Sequence, residues 1–427
     1  MSRFPHGLSE RVFAALAGGG GGSAAVEQLA AAEHSKHLLL LACVLKEAEE
    51  AGHEEYPLAA EGYALLRAVG RHDARAAQQV IRHPSTGAWA MWTVRVLRGG
   101  PGVPGATPGG LRAVAAAAAI RADYQAEITV GAIDRLAMLP TLGAAVVPGN
   151  TALVRSANNV AFVGPVEVPA NPHQDGPGWR GLRRVRGGAL DVLIDDLDPF
   201  RYPVAGNLSA RQGDDAWAER LTESWAVLQA HHPTVAAEVA AAVHVITPLV
   251  ASSGRAESSS SSEVFGTVAM SLPTDPVSGA EALAHEIQHV KLGALLDLVE
   301  LIKADDGSRY YAPWRPDPRP AGGLLQGAYA YLGVSGFWRR QRLLEGHQER
   351  GDAEYARWRA AAAAVVTTLR SSGRLTDDGY EFVSGMAGML DEWQHEPVSA
   401  TGRARAERAA REHLARWHSA HGATTAG

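Results

Sequence analysis

Two histidines and a glutamate stand together in the stretch LAHEIQHVKLG, residues 283–293, where His285, Glu286 and His289 form an HExxH motif. On a helix, residues four positions apart lie about one turn apart on the same face. Two neutral imidazoles at this spacing can bind one divalent ion. The surrounding positions are mostly apolar, and polar groups among apolar side chains are costly to bury without a partner. The motif therefore predicts a metal site with His285 and His289 as ligands.

A third protein ligand has to come from outside the motif, because catalytic zinc sites usually have three. Asp297 and Glu300 follow His285 at distances of about 18 Å and about 22 Å along a helix, too far to contact the same ion. The next predicted helix contains Gln326 within GGLLQGAYAYLG, where it is a lone polar residue on an apolar surface. We predict that Gln326 is a metal ligand or a hydrogen-bond partner of one.

A second stretch whose residues could bind a ligand is YYAPWRPDPRP at residues 310–320. Its prolines restrict the backbone, so that Arg315 and Arg319 are held in place. A guanidinium group can bind a carboxylate through two parallel hydrogen bonds. Tyr311 and Trp314 add an apolar wall. The loop is therefore a candidate site for a small dicarboxylate, and the alternative is a surface loop whose arginines pair with its own aspartate.

The elements that must position these residues form an α+β protein that is predominantly helical. Residues 1–137 are predicted as a helical region, with a flexible GGGGGS loop at 18–23. Residues 138–250 are predicted as a mixed region, in which short segments rich in valine and alanine are strands and 213–250 is helical. Residues 251–427 are predicted as the HExxH region, which consists mainly of helices. The three regions could also form one continuous catalytic domain.

The metal helix is predicted to begin near Ser278, with Glu281 completing a capping box, and to continue to about Ile302. The segment VFGTVAMSLP at 264–273 is predicted as a strand that precedes it. We expect a zincin-like arrangement, in which the metal helix packs beside a small antiparallel sheet. The free edge of the 264–273 strand could then pair with an extended peptide.

Composition excludes several classes of protein. The chain has 427 residues, a net charge of −6 and a pI near 6.3, which argues against nucleic acid as the main partner. Its one cysteine, Cys43, cannot form an internal disulfide and is expected to be a buried apolar residue. No apolar run approaches the roughly 20 residues of a membrane span, and the N-terminus lacks the pattern of a signal peptide. We therefore expect a cytoplasmic protein without a membrane partner.

The stretches HEIQHVKLGALLDLVEL, YYAPWRPDPRP and GLLQGAYAYLGVSGFW together resemble the HExxH-type peptide β-hydroxylases. These are 2-oxoglutarate-dependent enzymes associated with ribosomally synthesised, modified peptides (RiPPs). The stretches AEHSKHLLLL, IRHPSTGAWA and FGTVAMSLP also fit, so the resemblance covers nearly the whole chain. In some members the domain is fused to a radical-SAM maturase. This chain has no CxxxCxxC motif and resembles the stand-alone form.

The resemblance implies Fe(II) rather than Zn(II), bound by His285 and His289, with 2-oxoglutarate and O₂ as co-substrates. It implies that Arg315 or Arg319 pairs with the distal carboxylate of 2-oxoglutarate. The implied substrate is a ribosomal precursor peptide, hydroxylated at the β-carbon of one residue, and a radical-SAM maturase is an implied partner. Glu286, the predicted catalytic residue, would then orient a water molecule or a ligand.

Two other functions fit the same residues. In a zinc metallopeptidase, Glu286 would act as the general base for a metal-bound water, and a third ligand would come from a downstream helix. In a recognition module for precursor peptides, the fold would persist without catalysis, and Gln326 would mark a degraded site. The position of the third ligand and the metal content of the purified protein distinguish these functions.

Overall fold

The computed structural model describes residues 3–202, 208–209, 211, 216–251, 257–344 and 346–422. The chain divides into two compact units. Unit 1 consists of Met1–Ala30, Glu223–Ala242 and Thr274–Gly427, and unit 2 consists of Ala31–Thr222 and Val243–Pro273. Both units combine separated stretches of the chain, whereas each of the three predicted regions is one continuous stretch. The HExxH motif belongs to unit 1.

Helices dominate the described residues, so the predicted α+β class with mostly helical structure is confirmed. No described helix is both long and apolar enough to cross a membrane. The α-helices in the described part of the chain are α1 (Glu10–Ala17), α2 (Gly22–Glu50), α3 (Tyr56–His72), α4 (Ala74–Ile81), α5 (Pro84–Leu97), α6 (Leu111–Arg121), α7 (Ala216–His231), α8 (Pro233–Ala242), α9 (Pro276–Leu296), α10 (Ala321–Gln341), α11 (Gln348–Ser371), α12 (Asp377–Gln394) and α13 (Ala400–His421).

All of the strands described belong to unit 2 and form three sheets. The orders β1-β4-β5-β6 and β2-β3-β7 are antiparallel, whereas β11-β12-β10-β9-β8 is mixed, because β10 runs parallel to β9 and β12. The strands are β1 (Ala126–Gly131), β2 (Leu136–Leu139), β3 (Gly143–Val146), β4 (Thr151–Ala157), β5 (Val160–Val163), β6 (Val166–Glu167), β7 (Trp179–Gly181), β8 (Arg183–Gly187), β9 (Leu190–Ile194), β10 (Val245–Leu249), β11 (Ser258–Ser259) and β12 (Thr267–Ser271).

Two stretches that were predicted to be helical are strands. β1 lies within the N-terminal region, and β10 lies within the apolar run VHVITPLV at 243–250. β10 is buried between two parallel neighbours. Such a strand shows no alternation of polar and apolar residues, so its sequence cannot be distinguished from a short buried helix by periodicity. The predicted strands at β3, β4, β5, β9 and β12 are confirmed.

Small side chains let helices pack closely in the core of unit 2. Ala115–Ala119 of α6 are all buried, and they pack within a cluster that includes residues of α3, α4 and β1. Cys43 is only partly buried at the edge of this cluster, which corrects its predicted full burial.

The helix that carries the HExxH motif, α9, begins and ends earlier than predicted. Its N-cap is Asp275, whose side chain accepts hydrogen bonds from the backbone N–H groups of Val277 and Ser278. The capping box joins Asp275 to Ser278, so the predicted N-cap at Ser278 and partner at Glu281 are wrong. A proline at the first helical position is pre-set for helical φ, which explains the earlier start. The helix ends at Leu296 and not near Ile302.

The predicted edge for peptide pairing is occupied in part. β12 pairs with β10 on one side, and on the other side Ala269 and Met270 pair with the two residues of β11. An extended peptide could not add to that part of β12 while β11 is in place. The packing of the metal helix beside a sheet stays a prediction.

Candidate metal centre

The two histidines of the motif direct the same ring nitrogen toward one place. Nε2 of His289 is 3.2 Å from Nε2 of His285. Their ring centroids are 4.9 Å apart, and the ring planes are inclined at 66°. Two imidazole nitrogens that bond one ion at about 2.0–2.1 Å are about 2.9–3.4 Å apart for bond angles of about 90–109°. The observed separation therefore fits one ion shared by His285 and His289.

Gln326 approaches His289 from the opposite side of the imidazole ring. Its Oε1 accepts a hydrogen bond from Nδ1–H of His289, with 3.0 Å between the two atoms. A ligating histidine commonly donates its second N–H group to a carbonyl or carboxylate, which fixes the tautomer and the ring orientation. Of the two roles predicted for Gln326, this geometry supports the hydrogen-bond partner, because Gln326 does not face the pair of Nε2 atoms.

The neutral state of the His285 imidazole favours binding of a cation. Burial lowers its pKa to about 4; the neighbouring Glu286 raises the pKa, and His289 lowers it. His285 is therefore neutral at pH 7, with a nitrogen lone pair available to an ion. Its side chain is 22% exposed, so the ring is accessible from one side.

Glu286 lies beside the histidine pair and is almost completely buried. Its Oε1 is 3.9 Å from Nε2 of His285, which is too long for a direct hydrogen bond. This separation leaves the carboxylate within reach of a water molecule or other small ligand on an ion held by the two histidines. Glu286 can therefore accept a proton from such a ligand or orient it.

A buried ion pair fixes the opposite face of α9. Nζ of Lys291 is 2.8 Å from Oε2 of Glu238 in α8, and both side chains are 1% exposed. The same ammonium group donates to the backbone carbonyls of Gly19 and Gly20. Oε1 of Glu238 accepts the backbone N–H of Gly22. Residues 18–21 form a loop, whereas Gly22 and Ser23 begin α2, so the predicted loop at 18–23 is confirmed only for its first four residues. The carbonyls of Gly19 and Gly20 and the N–H group of Gly22 complete a buried polar network behind the motif.

Close approach of α10 brings Gln326 to the motif. At Gly333 a Cβ atom would lie 2.5 Å from Cγ of Gln288, so only a glycine allows α9 and α10 to pack this closely at that point. Gln288 also donates to the carbonyl of Gly19 through its side-chain amide. These contacts set the relative position of the two helices, and with it the contact between Gln326 and His289.

An aromatic stack adjoins His285. The ring of Tyr331 meets that of His285 edge-on, with centroids 5.2 Å apart. Tyr331 is stacked between Trp314, at 5.0 Å, and Trp358 of α11, at 4.1 Å. Burial raises the pKa of Tyr331, so its hydroxyl group keeps its proton. The stack provides an apolar wall on this side of the histidine pair.

Trp314 ties the arginine loop to this stack. A Cβ atom at Gly327 would lie 2.3 Å from the indole ring of Trp314, so the ring rests directly on the backbone of α10 next to Gln326. Trp314 therefore contributes to the apolar wall beside His285, and its role in cofactor binding stays a prediction. The residue that follows it, Arg315, begins the pair of arginines.

The two arginines share one carboxylate of their own loop. Nε of Arg315 is 2.9 Å from Oδ1 of Asp317, and Nη1 of Arg319 is 3.1 Å from Oδ2. This is the surface-loop pairing that the sequence left as the alternative. Each guanidinium group has five N–H donors, so most of them remain for another acceptor, and the three side chains carry a net charge of +1. The donor set therefore fits a second carboxylate beside Asp317.

Tyr311 contacts α13. Its hydroxyl group is 2.7 Å from Nδ1 of His413, and its ring meets Trp417 edge-on at 5.2 Å between centroids. These contacts attach the loop to α13, and the role of Tyr311 in cofactor binding stays a prediction.

Sequence reasoning missed several residues that shape the site. Tyr331 contacts His285, Trp358 stacks on Tyr331, and Lys291 and Glu238 anchor the helix. Periodicity could have indicated Lys291, because a lysine two positions after the motif falls on an apolar stretch. Glu281 was predicted only as a capping partner: it lies one turn before His285, and its Oε1 accepts the indole N–H of Trp338 at 2.8 Å.

Within the described ranges, no group of three or more histidine, cysteine, aspartate or glutamate side chains is arranged to hold a metal. His285 and His289 are thus the pair on which a site would be built, and the remaining coordination positions would be open to small ligands. No family model matches the chain, and none of the curated proteins searched is significantly similar to it.

Proposed function

We propose that this chain is a non-haem iron, 2-oxoglutarate-dependent hydroxylase of the HExxH type, acting at the β-carbon of a residue in a ribosomally made precursor peptide. The observation that supports the metal centre best is the 3.2 Å separation of the two Nε2 atoms. The resemblance of the motif, the arginine loop and the α10 segment to the HExxH-type peptide β-hydroxylases supports the choice of iron and 2-oxoglutarate.

In this proposal His285 and His289 hold the ion, and Gln326 keeps His289 in the ligating tautomer. The bound iron, with 2-oxoglutarate and O₂, supplies the oxidation of a C–H bond. With two imidazoles as protein ligands, a six-coordinate ion keeps four positions for small ligands, enough for a bidentate 2-oxo acid and O₂.

The remaining residues exclude water and bind the co-substrate. Tyr331 and Trp314 form the apolar wall beside His285, and an apolar wall limits the access of water to the reacting atoms. Arg315 and Arg319 would bind the distal carboxylate of 2-oxoglutarate alongside Asp317. Glu286 would orient a ligand of the ion through a hydrogen bond.

A zinc metallopeptidase is the second candidate, and one observation favours it. The buried carboxylate of Glu286 lies 3.9 Å from Nε2 of His285, where it could take a proton from a metal-bound water. Against it, the described residues provide no third histidine or carboxylate ligand of the kind that catalytic zinc sites use. A catalytically inactive recognition module is the third candidate, and it would bind neither metal at this site.

Anaerobic titration with Fe(II) and 2-oxoglutarate tests the proposal. We expect one Fe(II) per chain and a visible metal-to-ligand charge-transfer band that requires both components. The variant His285→Ala should lose both the ion and the band, whereas His395→Ala is a matched control because His395 lies after α12. Tight zinc binding without the band would favour the peptidase, and absence of any metal binding would favour the recognition module.

A further inference from the structure

Unit 2 contains a cavity of about 550 Å³ that takes no part in the metal centre. Its wall is made of residues from α3, α5 and α6, from β1 to β3, and from the segment 197–201. All of these residues belong to unit 2, whereas His285, Glu286 and His289 belong to unit 1. The volume is in the range of pockets that bind small molecules.

The wall of the cavity is mainly apolar. Aromatic and aliphatic residues from five different elements and one loop line the same space, so the cavity is not formed by one surface loop alone. The apolar side chains that define it are Leu58, Trp89, Val114, Val130, Leu136 and Phe200.

Two acidic groups at the wall, the buried Asp198 and the partly buried Glu55, are already used inside the protein. Asp198 is 3% exposed, and its Oδ1 accepts the backbone N–H of Phe200 at 2.8 Å. Oε2 of Glu55 accepts the backbone N–H of Gly109 at 3.0 Å. Burial also raises the pKa of Asp198, which favours its neutral form. A cationic ligand would therefore gain little from these carboxyl groups.

Several hydrogen-bond donors at the wall, unlike these two acidic groups, lack a partner in the described part of the chain. Among the described residues, Nε1 of Trp89, Nε of Arg112 and Nε of Arg201 have no hydrogen-bond acceptor. The charge of Arg112 is balanced by Glu61, with 2.7 Å between the groups. An anion is therefore not required, and an uncharged carbonyl oxygen would suit these donors. The three nitrogens are closed to water, so a carbonyl would reach them only after a small movement of the side chains.

We propose that this cavity binds an apolar side chain of a peptide, with adjacent peptide carbonyls accepting hydrogen bonds from the donors at the wall. The proposal rests on the proposed function in taking a peptide as the substrate. It adds a second recognition site, in unit 2, that selects a peptide by an apolar residue. With peptide carbonyls on those donors, a charged side chain would lose its hydration in the cavity without gaining a buried partner.

A larger side chain in β2 provides a variant that fills the cavity. Leu136 and Met138 lie on the same face of β2, and both line the cavity, whereas the intervening Ala137 does not. Leu136→Trp therefore adds side-chain volume on the face of β2 that lines the cavity. Leu343→Trp is the matched control, because Leu343 is exposed and does not line the cavity.

The full chain, labelled with 5-fluorotryptophan and prepared without iron or 2-oxoglutarate, would be titrated with capped amino acids and followed by ¹⁹F NMR. Trp89→Phe identifies the Trp89 resonance among those of the ten tryptophans. N-acetyl-L-phenylalaninamide and N-acetyl-L-leucinamide are the apolar probes, and N-acetyl-L-lysinamide and the amide of N-acetyl-L-aspartate are the charged ones.

We expect saturable shifts of the Trp89 resonance with the apolar probes and at least tenfold weaker binding of the charged ones. Leu136→Trp should weaken binding of the apolar probes at least tenfold, and Leu343→Trp should leave it unchanged. The proposal is overturned if the apolar probes cause no saturable shift, if charged probes bind equally well, or if Leu136→Trp has no effect. Because no iron is present, this outcome is independent of the titration that tests the metal centre.

Discussion

Oε1 of Gln326 lies 3.0 Å from Nδ1 of His289, while Nε2 of the same imidazole faces His285 at 3.2 Å. Nε2 of His289 is thus directed toward the position of an ion, while Nδ1 of the same ring is hydrogen-bonded to Gln326, which positions the ring. The partner comes from a different helix, so the affinity of the site for a metal depends on the packing of α10 against α9.

Removal of this partner should weaken metal binding without abolishing it. We expect Gln326→Ala to lower the affinity for Fe(II) about 10- to 100-fold, as is usual for groups that orient a ligating histidine. Gln326→Glu keeps an acceptor at the same position and should retain or increase the affinity. Competition with a chelating dye measures both. If Gln326→Ala abolished binding as completely as His289→Ala, a direct ligand role would be indicated.

Glu286 distinguishes the two catalytic proposals. If the chain is an oxygenase, Glu286→Gln should keep the ion and lower peptide hydroxylation by less than about tenfold, because no general base is required. In a hydrolase, loss of the general base costs about 10²- to 10⁴-fold in rate. Metal content, hydroxylation and peptide cleavage would be measured by mass spectrometry on the same preparations. Loss of hydroxylation by more than 10²-fold (about 3 kcal/mol) with iron still bound would contradict the limited role given to Glu286.

The charge of Asp317 should affect how tightly the arginine loop binds 2-oxoglutarate. Asp317→Asn removes the carboxylate that both arginines share, so 2-oxoglutarate should bind a few-fold more tightly, in line with about 0.2–1 kcal/mol for an exposed pair. Arg315→Ala and Arg319→Ala should weaken it. The concentration of 2-oxoglutarate at half-maximal intensity of the visible band reports each change.

Arg309→Ala is the control for this series, because Arg309 forms a similar exposed pair with Asp305, 3.0 Å away. It should leave the half-maximal concentration unchanged. An identical concentration in all three loop variants would show that the loop does not bind 2-oxoglutarate.

The ion pair behind the motif should contribute strongly to stability. Lys291→Met leaves Glu238 charged and buried without its partner, which typically costs about 3–5 kcal/mol of the free energy of unfolding. In that background Glu238→Gln removes the charge and keeps an acceptor for Gly22, so part of the stability should return. Urea denaturation measures both changes, with Lys303→Met as an exposed control. A double variant no more stable than Lys291→Met would contradict the buried-charge explanation.

Glu281 gives a prediction for pH. Burial raises its pKa from 4.5 to about 7; Trp338 lowers the pKa through a hydrogen bond, and Glu354 raises it. The folded state thus binds a proton that the unfolded state releases, and its contribution to stability falls as pH rises from about 4.5 to about 7. Glu281→Gln should therefore gain stability relative to the natural chain between pH 5 and pH 8, by at most about 3 kcal/mol.

Thermal unfolding at both pH values checks this gain. Glu349→Gln, at an exposed position in the same unit, should show no change between pH 5 and pH 8. If the difference in stability between Glu281→Gln and the natural chain were the same at both pH values, Glu281 would not titrate in this range.

Local relationships could be predicted from the sequence. The HExxH spacing places His285 and His289 one turn apart on α9 because a helix has a fixed pitch, and no other part of the chain is needed for that. The helices α11, α12 and α13 also follow from their apolar spacing. The arginine loop could be recognised because its prolines restrict the backbone and its arginines can bind a carboxylate.

Contacts between distant segments were decided only by the tertiary structure. Which nitrogen of His289 meets Gln326 depends on the packing of two helices, and the partner of Lys291 is Glu238, 53 residues earlier in the chain. The strand at β10 likewise depends on neighbouring strands that no local pattern specifies. The sequence alone determined the residue types that could bind a metal; packing determined which atoms face each other, because that requires the positions of side chains on separate elements.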